Sequence, residues 1–175
     1  MKLTSNKILL PLYLVAVAVL AALDQWVKHL CVLHLKGQEP IVLIPGVLEF
    51  SYLENHGAAF GMLQNKQWFF WILTVVFICC ALYFFVKVPK TRYYLPMILT
   101  VILLLAGAVG NFIDRLTYRY VVDFIYFRLI NFPVFNIADI YVTLSMIALV
   151  ALVLFRYKDG DFAFLEGKKK QEQKG

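Results

Sequence analysis

The sequence predicts an all-α integral membrane protein with four transmembrane helices, both termini cytoplasmic, and a small extracytoplasmic β element. Three observations carry that expectation. The 175 residues are 62% hydrophobic and 16% charged, against about 45–50% apolar and about 25% charged in soluble domains. Four apolar runs approach the roughly 20 residues that a bilayer-crossing helix needs. Basic residues gather on one side of those runs.

The expected spans cover approximately residues 8–33, 68–88, 93–113 and 137–155. The first also has the look of a cleavable leader over Met1–Ala22, with Lys2 and Lys7 ahead of an apolar core and small residues at its end. Its apolar pattern resumes after Asp24, and three further spans follow, so a retained helix is the better expectation. With four spans, the termini share a side with the loop between spans two and three. That side carries 11 of the 17 Lys and Arg residues, which the positive-inside rule assigns to the cytoplasm. The net charge of +6 is mostly this topology signal. No basic stripe interleaved with aromatics points to nucleic acid. Residues 1–157 read as one membrane-embedded domain, and residues 158–175 as a basic, unstructured tail.

The two longer segments on the other side hold the more varied chemistry. IVLIPGVLEFSYL reads as short strands broken at Pro45 and Gly46. ENHGAAFG follows, where Gly57, Ala58, Ala59 and Gly61 leave the backbone almost bare. That permits close approach of a substrate or a helix, although a plain turn would have the same composition. YRYVVDFIYFRLINFPVF reads as a second strand pair or an interfacial loop, and its aromatics suit a membrane–water boundary. Cys31, Cys79 and Cys80 suggest small apolar residues rather than a disulfide framework.

Polar residues cluster where the spans end on that side. Asp24 and Lys28 stand at i and i+4 and can pair. Asn111, Asp114 and Arg115 fall within one turn of span three, with Arg115 as the cation nearest Asp114 in sequence. Ala106 and Gly110 offer a small-xxx-small seam for a neighbouring helix. Asn136 and Asp139 open span four on one face. Intramembrane charges are costly and usually pair, so Asp24, Lys28, Asp114 and Arg115 have a ready structural explanation. Asp123 and Asp139 have no basic residue within three positions. Facing one cleft, they would push up the pKa of one carboxyl by desolvation and mutual repulsion. That is how a carboxylate pair activates water on a peptide carbonyl. Local hydrogen bonding, with Asp139 as a helix N-cap, explains them equally well from the residues alone. His29, His34 and His56 form no HExxH, and no GxSxG elbow occurs, so zinc and serine chemistries lack support. No cofactor is called for. A small transporter or proton-relay protein is the alternative, since buried carboxylates serve there too. It fits the clustering at one face poorly.

Five blocks together resemble the lipoprotein signal peptidase (signal peptidase II) family: DQWVK (24–28), ENHGAAFG (54–61), GNFIDR (110–115), VVDFI (121–125) and FPVFNIAD (132–139). The resemblance implies an aspartyl endopeptidase of the bacterial cytoplasmic membrane with its active site toward the outer face. The implied substrates are prolipoproteins cut just before a diacylglyceryl-modified cysteine. Asp123 and Asp139 match the family's catalytic dyad. Asn55, Gly57, Ala58, Asn111, Asp114, Arg115, Asn136, Asp24 and Lys28 match its supporting or substrate-binding positions. Val27 and Ile140 depart from it, standing where a small hydroxyl residue and a serine are frequent.

Overall fold

The computed structural model describes residues 6–57 and 67–165. It contains α1 (Asn6–Leu35), β1 (Ile41–Ile44), β2 (Leu48–Asn55), α2 (Gln67–Lys87), α3 (Leu95–Thr117), β3 (Val121–Phe127) and α4 (Ile137–Phe155). All four helices are long and apolar enough to cross a membrane. The expectation of four spans is therefore met, with differences at the ends. α3 runs on past the apolar stretch through Asp114 and Arg115, because those charges find partners in neighbouring elements. Pro96 stands in its first turn, where a missing N–H breaks no helical bond.

α3 is the hub, packed against α1, α2 and α4. More than half of its span is buried (56%), against 11% for α4. Lipid tails are as apolar as leucine, so helices in a bilayer associate through close packing rather than water exclusion. Two glycines of α3 provide it. A Cβ on Gly107 would lie 2.5 Å from the carbonyl oxygen of Ala138 in α4, and one on Gly110 would lie 2.6 Å from Asp24 Oδ2 in α1. The seam expected at Ala106 and Gly110 thus centres on Gly107 and Gly110.

Along α1 the interior divides into layers. A larger apolar cluster joins Tyr13, Val17, Phe85, Ile98 and Leu105. A smaller one sits under the sheet around Cys31, Leu35 and Phe124. Between them lie Asp24 and Lys28, both buried.

The sheet has the order β1-β2-β3, antiparallel throughout. The hairpin β1–β2 turns at Pro45 and Gly46, as expected. Val47 N–H donates to Ile44 O at 3.0 Å, and Gly46 adopts φ +72°, the combination that a type II turn asks of Pro and Gly at its centre. The second outer segment differs from expectation: it supplies one strand, not a pair, and β3 zips onto β2. The chain then turns through a 3-10 helix at Arg128–Ile130 and returns to β3 at the Ile125–Phe135 bridge. Asn55 lies opposite Val121 and Leu53 opposite Asp123, so Asn55 and Asp123 emerge on the same face of the sheet.

At the opposite end, the segment from Lys158, read from sequence as unstructured, forms a 3-10 turn at Asp159–Phe162. Aromatics interleaved with its charges explain this. Tyr94 stacks on Tyr157, Phe164 meets Phe84 and Tyr94, and Tyr93 Oη donates to Asp161 Oδ2 at 2.8 Å. Residues 166–175 lie outside the described residues.

Candidate active site

The polar layer starts with the α1 pair that its spacing predicts: Lys28 Nζ lies 2.9 Å from Asp24 Oδ2. Lys28 is also the cation of Asp114, 2.9 Å from its Oδ2, which corrects the expectation of an Asp114–Arg115 pairing. Successive residues of a helix point about 100° apart, so Arg115 cannot follow Asp114 into the α1–α3 seam. Gln25 joins the layer without having been singled out in the sequence. Its Nε2 donates to Asp114 Oδ1 at 2.8 Å and to Gly110 O at 3.0 Å. The available signal was a further polar side chain in an apolar run, three residues before Lys28 and so on its face.

Both carboxylates reach beyond the lysine to backbone donors. Asp24 Oδ1 accepts from Ala138 N–H at 2.9 Å, and Asp114 Oδ2 accepts from Val122 N–H at 3.1 Å. The third Lys28 contact is Asn111 Oδ1 at 2.9 Å.

Asp123 and Asp139 come together around one cavity of about 450 Å³, which both line with Asn55, Gly57, Asn111 and Arg115. Asparagines hold both carboxylates. Asp123 Oδ1 accepts from Asn136 Nδ2 at 2.6 Å and Oδ2 from Asn55 Nδ2 at 2.8 Å. Asp139 Oδ1 accepts from Asn111 Nδ2 at 2.7 Å. Its Oδ2 accepts from Asn136 N–H at 3.2 Å, while Asn136 Oδ1 accepts from Asp139 N–H at 3.0 Å. This is a capping box in which Asn136, rather than Asp139, is the N-cap. The local explanation considered for Asp139 thus holds for one of its oxygens, and the other faces the dyad's amides.

Each amide is oriented by its own carbonyl. An amide offers one acceptor end and one donor end. Gly57 N–H takes Asn55 Oδ1 at 3.0 Å, Lys28 takes Asn111 Oδ1, and Asp139 N–H takes Asn136 Oδ1. All three NH₂ groups donate to carboxylates, and that of Asn136 donates also to Asn111 Oδ1 at 3.1 Å and to Val122 O at 3.3 Å. Arg115 stacks over Phe70 at 4.6 Å and donates to Gly57 O and Asn111 O at 3.4 Å, joining α2, α3 and the segment after β2. Lys36 and Glu54 pair at 2.8 Å, tying the residue after α1 to β2. That hydrogen bond holds the Glu54 carboxyl below its usual range.

Asp123 is buried to 1% exposure. Burial, and then the charge of Asp139, pushes its carboxyl up to about 7, against the opposing pull of Asn55, Asn136 and Lys28. Desolvation and a like charge act together here. Among the described residues no group of His, Cys, Asp or Glu is arranged to hold a metal ion. Ala58, Ala59 and Gly61 lie outside the described residues.

The expected site residues on described positions therefore assemble into one site. A family model described as signal peptidase (SPase) II matches residues 16–155. A lipoprotein signal peptidase of Streptococcus thermophilus is 44% identical over 146 residues, covering 83% of this chain and 94% of that protein. One of Streptococcus pyogenes is 39% identical over 148 residues, covering 85% and 95%. Two solved structures, each described as a bacterial membrane enzyme determined by the in meso method, share the fold. One is 32% identical with a TM-score of 0.74, covering 91% of this chain and 94% of that one. The other is 34% identical with a TM-score of 0.73, covering 84% and 95%. With a family model spanning most of the sequence and relatives this similar, the chain belongs to the signal peptidase II family.

Proposed function

We propose that this protein removes the signal peptide from diacylglyceryl-modified prolipoproteins, cutting before the lipid-modified cysteine, with Asp123 and Asp139 as its catalytic dyad. Family membership and the lipoprotein signal peptidase relatives support the reaction. The observation that carries the dyad is its setting: two aspartates on one cavity, each bound by amide N–H donors, one of them pushed up to about 7.

In this mechanism Asp123 carries the shared proton and acts as the acid, and Asp139 acts as the base. Asp139 takes a proton from a water between them as the water oxygen attacks the scissile carbonyl carbon. Asp123 gives its proton to the carbonyl oxygen, so a neutral gem-diol forms. Collapse returns a diol proton to Asp123 while Asp139 delivers its proton to the leaving nitrogen. That restores the starting protonation states. Asn111, Asn136 and Asn55 hold the carboxylates in register, and Arg115 with Gly57 forms a wall of the substrate cavity.

The termini face the cytoplasm in this proposal and the sheet faces outward, which the 11 basic residues on the terminal side support. The test is cleavage of a diacylglyceryl-modified signal-peptide substrate by the purified protein, beside Asp123→Asn and Asp139→Asn. The wild type is expected to cut before the modified cysteine. Both variants are expected to fold and to lose on the order of a thousandfold in kcat, within the range of general acid–base catalysis. Near-normal turnover in either folded variant removes the dyad, and an intact substrate with the wild type removes the function.

A further inference from the structure

Asp123 and Asp139 belong to different elements, so their separation depends on how β3 and the start of α4 are held. The holding points are adjacent to the dyad in sequence. Asp114 takes the N–H of Val122, the residue before Asp123, and Asp24 takes the N–H of Ala138, the residue before Asp139. Those two carboxylates meet on one ammonium group, Lys28 Nζ, 2.9 Å from each. A lysine ammonium has three donors. The remaining contact is Asn111 Oδ1 at 2.9 Å, and the Nδ2 of that amide donates to Asp139 Oδ1 at 2.7 Å. Lys28 is 2% exposed, and its three polar contacts, Asp24, Asp114 and Asn111, all lead to the dyad within one or two further bonds.

We propose that Lys28 is a positioning residue of the reaction, whose ammonium yokes the two dyad-bearing segments through Asp24 and Asp114 and fixes the Asn111 amide against Asp139. The inference rests on the reading of Asp123 and Asp139 as the catalyst. A lysine serving stability alone needs only to neutralise Asp24 and Asp114. This one also takes the carbonyl of Asn111, at 2.9 Å beside the Asn136 amide at 3.1 Å, and a flipped Asn111 amide would bring its NH₂ against an ammonium. The donor end is thereby committed to Asp139. Among the described residues, the other charged groups around the dyad are Asp24 on α1 and Asp114 and Arg115 on α3, and β2 presents the neutral Asn55.

The test uses the full chain in detergent with the same lipidated substrate, comparing Lys28→Met, Asp24→Asn/Lys28→Met and Asp139→Asn. Lys28→Met leaves two buried carboxylates without a cation, whereas the double variant removes one charge of each sign and serves as the fold-preserving partner. kcat is referred to the folded fraction, measured by circular dichroism and thermal unfolding. Both Lys28 variants are expected to lose about a hundredfold in kcat per folded molecule, the loss that a misplacement of about 1 Å brings. KM is expected to stay within about threefold, since an interaction serving only the transition state leaves substrate binding alone. Folded variants with kcat within about threefold of wild type overturn the proposal. So does a loss that appears as raised KM alone, or failure of both variants to fold, which would assign Lys28 to stability. Turnover by Asp139→Asn would instead remove the dyad reading, whatever Lys28 does.

Discussion

Four carboxylates meet at the sheet end of the bundle, in two pairs that are treated in opposite ways. Asp24 and Asp114 flank a lysine and spend their remaining lone pairs on Gln25 and two backbone N–H groups. Among the described residues, Asp123 and Asp139 receive amide and backbone donors only, and they face a cavity. The first pair is neutralised and closed off, which suits bracing. The second is stabilised by dipoles but not by a bonded cation, so its charge remains open to change. A cation within bonding distance would pin both dyad members in the ionised form, and neither could then hold a proton.

That contrast can be broken most severely at the dyad. Asp123→Asn/Asp139→Asn is expected to lose no more kcat than either single change, about a thousandfold, because groups acting as one unit are grossly non-additive. Additive losses in the cleavage assay would separate the two aspartates. At the braced pair the damage should be to stability. Asp114→Ala strands Lys28 contacts, Gln25 and Val122 N–H, and is expected to cost about 3 kcal/mol in unfolding measurements, as for a broken buried ion pair.

The dyad should also show its tension through pH. Asp123 has a folded pKa near 7, above an unfolded value of about 3.9. The folded chain therefore keeps a proton that the unfolded chain has released, and stability falls as pH rises from the lower value through the upper. Asp123→Asn removes that loss, so the variant should melt above the wild type at about pH 8 and lose the advantage by about pH 4. Equal Tm differences at both would mean that the carboxyl titrates normally. A smaller effect is expected at Gln25→Leu, which drops hydrogen bonds to Asp114 and Gly110 and should lower stability by about 1 kcal/mol. Smallest of all, Asp161→Asn at the far end, where Asp161 meets Tyr93, should leave turnover unchanged in the same assay.

The spans and the hairpin were legible because apolar length and a Pro-Gly turn are local signals. The meeting of Asp123 and Asp139 was half legible: neither has a cation within three positions and FNIAD places Asn136 and Asp139 on one face, but the residues alone weighed a shared cleft evenly against local hydrogen bonding. The partners of Asp114 were not legible. Lys28 and Val122 reach it across elements, and only folding decides that Arg115 turns toward Phe70 and Gly57 instead. Gly107 was missed for the same reason: what makes it necessary is the Ala138 carbonyl of another helix. The 3-10 turn at Asp159–Phe162 was hidden by the charges around it, while its aromatics held the information.

The cavity at the dyad extends along α4 to Thr143 and Leu144, and both are exposed on the flank of that helix. In the proposed reaction, a site with such a flank would meet a lipid-anchored substrate sideways, from within the bilayer. What governs its occupancy is then the number of anchored substrate molecules per unit of membrane area. Diluting the bilayer with inert lipid should slow the enzyme even when the amounts of protein, substrate and water are held constant.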